Sequence, residues 1–301
     1  MLRKLPIIID TDIGDDVDDA FALCLAMASP EVSILGVTTV YCDTVKRARI
    51  AARLLREGGF PGVPVHAGRG LPLKTRTIYG RPLEPDKTPS GYDAGFDGER
   101  IDGGDAVGFI IRTLESAREP VCIVTMGALT NIAAVLTERP DLKKKISFLS
   151  VMGGAFNMNV GEYNFCCDPE AASLVLSCGA EIKCAGLDVT FKCSVNGGYA
   201  PLLEKAEAKA LKTLFKMRKQ WGGEVYLHDP LALMSAFDPS YVDWEERRCE
   251  VECGASLTNG YVVNLSDWNW RQRPAGNLKV GVGVRADAFT GECMKRILSL
   301  K

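Results

Sequence analysis

Histidine is almost absent: two stand in 301 residues, which argues against a histidine-rich zinc site. Neither sign of charge is in excess. With 36 Lys+Arg against 38 Asp+Glu, the net charge of −2 gives no support for a nucleic-acid-binding domain. No apolar run approaches 18 residues, so no membrane partner is expected. The apolar run after the two basic residues of the N-terminus is only Ile7 to Ile9, too short for a signal-peptide core. C-x-x-C pairs are missing as well. The eleven cysteines are odd in number, Cys24 and Cys122 sit in apolar runs, and Cys166 and Cys167 are adjacent. They read as reduced, mostly buried thiols of a cytoplasmic protein.

What is present is a globular composition, 47% apolar and 25% charged, long enough to bury a core without disulfide staples. Short apolar runs alternate with helical patterns. Ile7 to Ile9, Ile34 to Val40, Val121 to Thr125 and Phe148 to Met152 read as strands. Asp19 to Ala28, Thr44 to Arg56 and Thr130 to Glu138 read as helices, and Asp168-Pro169-Glu170 opens another with a cap, a proline and an acid in order. This order predicts an α/β fold, a mainly parallel central sheet flanked by helices, as one domain over 1–301. Ligands of such sheets bind beyond the strands' carboxyl ends. Gly68 to Gly104, rich in Gly and Pro, reads as a lid or binding segment. Cys249 to Ala288 reads as β hairpins with a turn at Thr258-Asn259-Gly260.

Asp10-Thr11-Asp12-Ile13-Gly14-Asp15-Asp16-Val17-Asp18-Asp19 places six carboxylates in ten residues, after a buried strand and at the start of a helix. Such crowding costs stability unless a cation compensates, and oxygen donors suit Ca²⁺ or Mg²⁺. The run lacks the spaced acids and terminal Glu of an EF-hand loop. A strand followed by Asp-x-Asp is also similar to the haloacid-dehalogenase phosphatases, which use an aspartyl nucleophile and Mg²⁺.

Other blocks decide between these readings. Asp10-Thr11-Asp12-Ile13-Gly14 with Asp18-Asp19-Ala20 resembles the signature of the inosine-uridine-preferring nucleoside hydrolase family, with a Rossmann-like fold. In order follow Val37-Thr38-Thr39-Val40, Met126-Gly127-Ala128-Leu129-Thr130-Asn131, Val151-Met152-Gly153-Gly154, Glu162-Tyr163-Asn164 with Asp168-Pro169-Glu170-Ala171-Ala172, Gly186-Leu187-Asp188-Val189-Thr190 and His228-Asp229-Pro230. The resemblance spans residues 6 to 290.

It implies Ca²⁺-dependent hydrolysis of the N-glycosidic bond of ribonucleosides to ribose and free base, in purine or pyrimidine salvage, by a dimer or tetramer. Asp12 would bind Ca²⁺ and act as general base toward its bound water. Asp19, Asp229 and the Met126 main-chain carbonyl would complete the protein ligands. Asp18, Glu162 and Asn164 would hold ribose hydroxyls, joined by Asn157 or Asn159. His228 would lie near the leaving base and protonate it, a role its ordinary pKa near 6.5 suits. His66 reads as structural. Trp268 and Trp270 could stack on a base, or like Trp221 belong to core or surface.

Three departures from the family pattern stand out. Asp15, Asp16 and Val17 replace a single residue, so Asp15 or Asp16 could substitute at the metal. Cys42-Asp43 stands where Gly-Asn is common, leaving Asp43 able to contact metal or ribose. The segment 68–104 holds no His, so leaving-group contacts differ. A non-catalytic, Ca²⁺-dependent ribose or nucleoside sensor on the same scaffold is a further alternative.

Overall fold

Three consecutive isoleucines dictate where the first strand must lie. Side chains alternate across a strand, so Ile7 and Ile9 face one way and Ile8 the other, and all three are fully buried. A strand buried on both faces belongs in the middle of a sheet covered by helices on each side. The computed structural model, which describes residues 3–74, 77–195, 198–254, 257–266 and 276–301, has this arrangement.

Among the described residues, twelve strands and eleven helices follow one another. The first half comprises β1 (Leu5–Thr11), α1 (Asp18–Met27), β2 (Val32–Thr39), α2 (Thr44–Glu57), β3 (Val65–Ala67), β4 (Thr77–Ile78), β5 (Arg81–Pro82), α3 (Ala106–Ser116), β6 (Val121–Met126), α4 (Thr130–Glu138) and β7 (Ile146–Met152). Then come α5 (Tyr163–Cys167), α6 (Pro169–Leu176), β8 (Ile182–Ala185), α7 (Leu187–Thr190), α8 (Ala200–Glu204), α9 (Lys209–Trp221), α10 (His228–Phe237), β9 (Val242–Arg247), β10 (Cys249–Val251), β11 (Val262–Asn264), β12 (Leu278–Val284) and α11 (Ala286–Ile297).

The main sheet has the order β3-β2-β1-β6-β7-β8-β12-β9. Its neighbours are parallel except β12 and β9. On the Ile7/Ile9 face pack α1, α2, α9, α10 and α11, through residues such as Phe21, Leu54, Leu214, Leu231 and Phe289. On the Ile8 face pack α3, α4 and α6, through Ile110, Val135 and Val175. Every residue of α1 is buried, as its apolar sequence demands.

The strand order reverses at β1: the chain winds outward through β2 and β3, then returns to place β6 on the other side. That switch point opens a crevice beyond the carboxyl ends of β1 and β6, with Thr11 beside Met126. The acidic run leaves β1 there.

The expected late β hairpin is present: β10 and β11 pair antiparallel, with a turn between them in which Tyr261 N donates to the Thr258 carbonyl at 2.9 Å. Its extent is narrower than 249–288 among the described residues, because β12 enters the main sheet between β8 and β9 and α11 begins at Ala286. The alternation of Val280, Val282 and Val284 with glycines suits a hairpin or a sheet interior equally, and β12 pairs with β8 on one side and β9 on the other. All eleven cysteines are free thiols. No helix among the described residues is long and apolar enough to cross a membrane. Trp268 and Trp270 lie outside the described residues.

Candidate active site

Each acid of the first loop reaches its place for a local reason. Gly14 has φ +120°, and a Cβ there would stand 2.7 Å from Ile50 and 2.9 Å from Pro89, so glycine is required where the loop turns. Gly127, just past β6, is equally constrained: a Cβ would meet the Asp12 nitrogen at 3.0 Å. Asp18 and Asp19 begin α1, where the helix dipole favours anions. Asp229 lies in the first turn of α10, and its main-chain N–H donates to Asp18 Oδ2 at 3.1 Å. The Thr11 hydroxyl donates to Asp19.

Asp10 faces away from this group. It accepts from the Thr38 hydroxyl at 2.6 Å and the Asn131 amide at 2.8 Å. Asn131 also donates to the Thr39 carbonyl at 3.0 Å, joining three strand ends. Burial pushes the Asp10 carboxyl up to about 7.

A cavity of about 420 Å³ opens over the switch point, the size of a small-molecule site. Asp12, Asp15, Asp16, Asp18, Asp19 and Asp229 line it with the Met126 end of β6. Glu162, Asn164 and His228 line it too, so these expected site residues come together. Glu162 caps α5: Oε1 accepts from Asn164 N at 2.8 Å, and Oε2 from Gly154 N and Phe165 N, each at 3.0 Å. Asn164 is held by its amide donating to the Met152 carbonyl at 3.2 Å.

Asp43 and Asn157 do not line the cavity. Asp43 caps α2, accepting from Lys46 N at 3.1 Å and pairing with the Lys46 ammonium at 2.9 Å. Asn157 is exposed; its N–H donates to Asp188 and its side-chain oxygen accepts from Arg247 at 2.7 Å. Asp43 is taken by a residue three further along its own helix, and Asn157 by one ninety residues away in sequence. Trp221 lies in a side recess with Asp16, Asp18 and His228, its indole donating to the Glu224 carbonyl at 3.1 Å. His66 stacks on Phe109 with ring centroids 4.4 Å apart, remote from the acids.

Electrostatics separate the groups further. Burial raises the pKa of Asp12, Asp18, Asp19 and Asp229, and neighbouring carboxylates raise each one more. Arg47 opposes this at Asp12 and Asp19. One oxygen from each of Asp16, Asp18 and Asp19 lies within 4.8 Å of the others. An all-oxygen, strongly anionic and desolvated donor set fits a hard divalent cation. Asp16 thereby joins the cluster, whereas Asp15 pairs with Arg47 at 2.7 Å. His228 behaves differently from expectation. Burial holds its pKa down at about 4, so the imidazole is neutral at pH 7. Nδ1 lies 2.7 Å from the Thr190 hydroxyl, and Phe191 meets the ring edge-on at 5.1 Å.

Sequence reasoning missed the apolar wall. Tyr79, Met158, Val160, Tyr163, Leu187 and Phe191 line the cavity. Tyr79 arrives from the 68–104 segment, whose length was its only signal. Tyr163 stood inside a recognised block, without a role.

Comparison with known proteins accords with this geometry. The profile of the family described as inosine-uridine preferring nucleoside hydrolase matches residues 7–291. The pyrimidine-specific ribonucleoside hydrolase RihA of Salmonella paratyphi C is 32% identical over 316 aligned residues, which cover 97% of this chain and 98% of that one. Among solved structures, the purine-preferring ribonucleoside hydrolase from Gardnerella vaginalis is 28% identical, covers 98% of each chain and superposes with a TM-score of 0.82. A plant nucleoside hydrolase is 25% identical, covers 99% of this chain and 100% of its own, and gives 0.85. An acidic switch-point cavity and a match along nearly the whole chain lead to one conclusion: the chain belongs to the inosine-uridine preferring nucleoside hydrolase family.

Proposed function

We propose that this enzyme hydrolyses the N-glycosidic bond of free ribonucleosides, pyrimidine ribonucleosides among them, with Ca²⁺ in the acidic cluster and Asp12 as general base. The observation that carries the reading is one cavity joining buried carboxylates to Glu162, Asn164 and His228.

Asp12, Asp19, Asp229 and the Met126 carbonyl would hold the cation, with Asp16 and Asp18 adjacent. When bound, Ca²⁺ supplies a positive charge that acidifies coordinated water and orients the ribose hydroxyls. Asp12, once ionised, is the base that takes the proton of the attacking water; burial raises its basicity, which suits that task. Asp18 accepts a ribose hydroxyl. Glu162 Oε1 has one hydrogen bond from Asn164 N and a remaining lone pair for a sugar O–H. Acceptors placed this way discriminate against sugars lacking the hydroxyl. The same carboxylates stabilise positive charge that develops on the ribosyl centre as the bond to the base breaks.

The leaving base takes its electrons with it and needs a hydrogen-bond donor. In the tautomer that accepts from the Thr190 hydroxyl at Nδ1, neutral His228 carries its proton on Nε2 and can donate from there. Tyr79, Tyr163 and Phe191 supply the apolar and aromatic surface a nucleobase requires. A phosphatase mechanism with Asp10 as nucleophile has no support, because Asp10 is buried and engaged by Thr38 and Asn131 outside the cavity. A homo-oligomer is the assembly proposed.

Uridine, cytidine and inosine incubated with Ca²⁺ should each be tested for free base and reducing sugar. Release that disappears with Asp12→Ala supports the reading. Absence of turnover across the panel overturns it, and nucleoside binding without release would make the protein a sensor.

A further inference from the structure

Arg47 is the most deeply buried cation near the acids: its residue exposure is 0%. It lies on α2, in the stripe that continues through Ile50, Ala51 and Leu54, where an apolar side chain is the ordinary choice. Burying a guanidinium is costly unless every donor is used. Here all three nitrogens donate, in four hydrogen bonds. Nε donates to the Tyr41 carbonyl at 2.8 Å. Nη1 donates to the carbonyls of Asp12 and Ile13, the latter at 3.1 Å. Nη2 donates to Asp15 Oδ2 at 2.7 Å.

The partners belong to two different strand ends. Asp12, Ile13 and Asp15 follow β1; Tyr41 follows β2. Tyr41 and Cys42 have φ of 71° and 55°, a conformation that non-glycine residues adopt at a cost and keep only where the surroundings hold it. Asp15 is in turn fixed from the other side, its carbonyl accepting from the Ser90 hydroxyl at 2.7 Å.

We infer that Arg47 is a positioning residue for the reaction: its guanidinium fixes the main chain that carries Asp12 and, by pairing with Asp15, holds that carboxylate, which lines the same cavity, back from the cation ligands. The inference rests on the cation and general-base reading above. It assigns a purpose to the two extra residues of the signature. Asp15 is the counter-ion of the clamp, leaving Asp16 with the cation cluster. A lysine cannot replace the clamp, because one ammonium lacks the planar fork that reaches three carbonyls and a carboxylate.

The test compares the full-length wild type with Arg47→Met and Arg47→Lys. Circular dichroism and melting temperature establish folding, calorimetric titration with Ca²⁺ gives cation affinity, and uridine turnover gives kcat and KM. In both variants, Ca²⁺ affinity should fall at least tenfold and kcat at least thirtyfold, with KM for uridine changing less than threefold. Folded variants that keep Ca²⁺ affinity and kcat within twofold of wild type, whatever their melting temperature, overturn the inference and leave Arg47 a structural residue. If Arg47→Met does not fold, Arg47→Lys and Arg47→Gln, which retain a donor, are judged by the same thresholds. The titration needs no turnover, so a wild type that binds Ca²⁺ without releasing base refutes the proposed function and leaves this inference open to the affinity measurement.

Discussion

Asp12 and His228 share one cavity, and the same burial acts on them in opposite senses. It pushes the Asp12 carboxyl up, toward a better base. It pushes the His228 imidazole down to about 4, away from the imidazolium. Asp12→Asn should therefore lower kcat by roughly 10²- to 10⁴-fold, the usual worth of a positioned base, while the fold survives because a buried charge has been removed. Base release at saturating uridine measures this. For His228 the expectation concerns shape as well as size. A residue neutral throughout pH 6 to 8 contributes no inflection there, so the kcat profiles of wild type and His228→Phe should run parallel, the variant lying below. An inflection near 6.5 present in the wild type and lost in the variant would refute the neutral donor.

At the scale of elements, the site depends on contacts made before any side chain meets a ligand. Gly127 lets β6 end against Asp12, and Gly127→Ala would press a Cβ to 2.8 Å from Val40 and 3.0 Å from Asp12 N. The expected result is a loss of kcat of about tenfold or more from misplaced groups, with a smaller effect on melting temperature. Asp168 ties three segments: it caps α6 through Ala171 N, and it accepts from the Thr130 hydroxyl at 2.7 Å and Leu73 N at 2.9 Å. Asp168→Ala should destabilise the protein by about 3 kcal/mol, seen in urea unfolding, since three donors lose a charged acceptor.

These elements also show where sequence reading succeeds. The helix cap at Asp168, the buried β1 and the acidic run were legible because each depends on residues adjacent in the chain. The partner of Asn157 was not: Arg247, ninety residues on, takes its side-chain oxygen. Asp43 could have been read as the cap of α2, since Lys46 stands three residues on, the spacing of Ala171 from Asp168. Arg47 could have been seen: a lone arginine in an apolar helical stripe asks for buried acceptors. The position of β12 could not, since its register is set by β8, nearly a hundred residues earlier.

For the whole molecule, the balance of burial against charge makes stability depend on pH and cation together. Asp10 and Asp19 have folded pKa values of about 7 against an ordinary 3.8, so between these limits the folded state holds protons that the unfolded chain has lost. Their contribution is complete below about pH 4 and is lost as pH rises through 7. The cation-free protein should thus become less stable from pH 5 to pH 8 through these groups. Ca²⁺, which favours the ionised carboxylates, should raise the melting temperature more at pH 8 than at pH 5. At a hundredfold excess over its dissociation constant, the stabilisation amounts to about 2.7 kcal/mol. Scanning calorimetry with Ca²⁺ and with a chelator at both pH values checks it; an equal shift at the two would refute the linkage.

The sheet order also has a consequence in time. β9 is synthesised before β12, yet β12 is its neighbour in the sheet. On a ribosome, Val242–Arg247 therefore emerges as a strand without a template and waits some thirty residues for one. An unpaired strand is an invitation to other nascent chains. Asp243, Glu245, Glu246 and Arg247 put charge on that strand throughout the wait. The acidic site, whose last carboxylate is Asp229, is already complete in sequence by then. Translation delivers the chemistry first and closes the sheet afterwards.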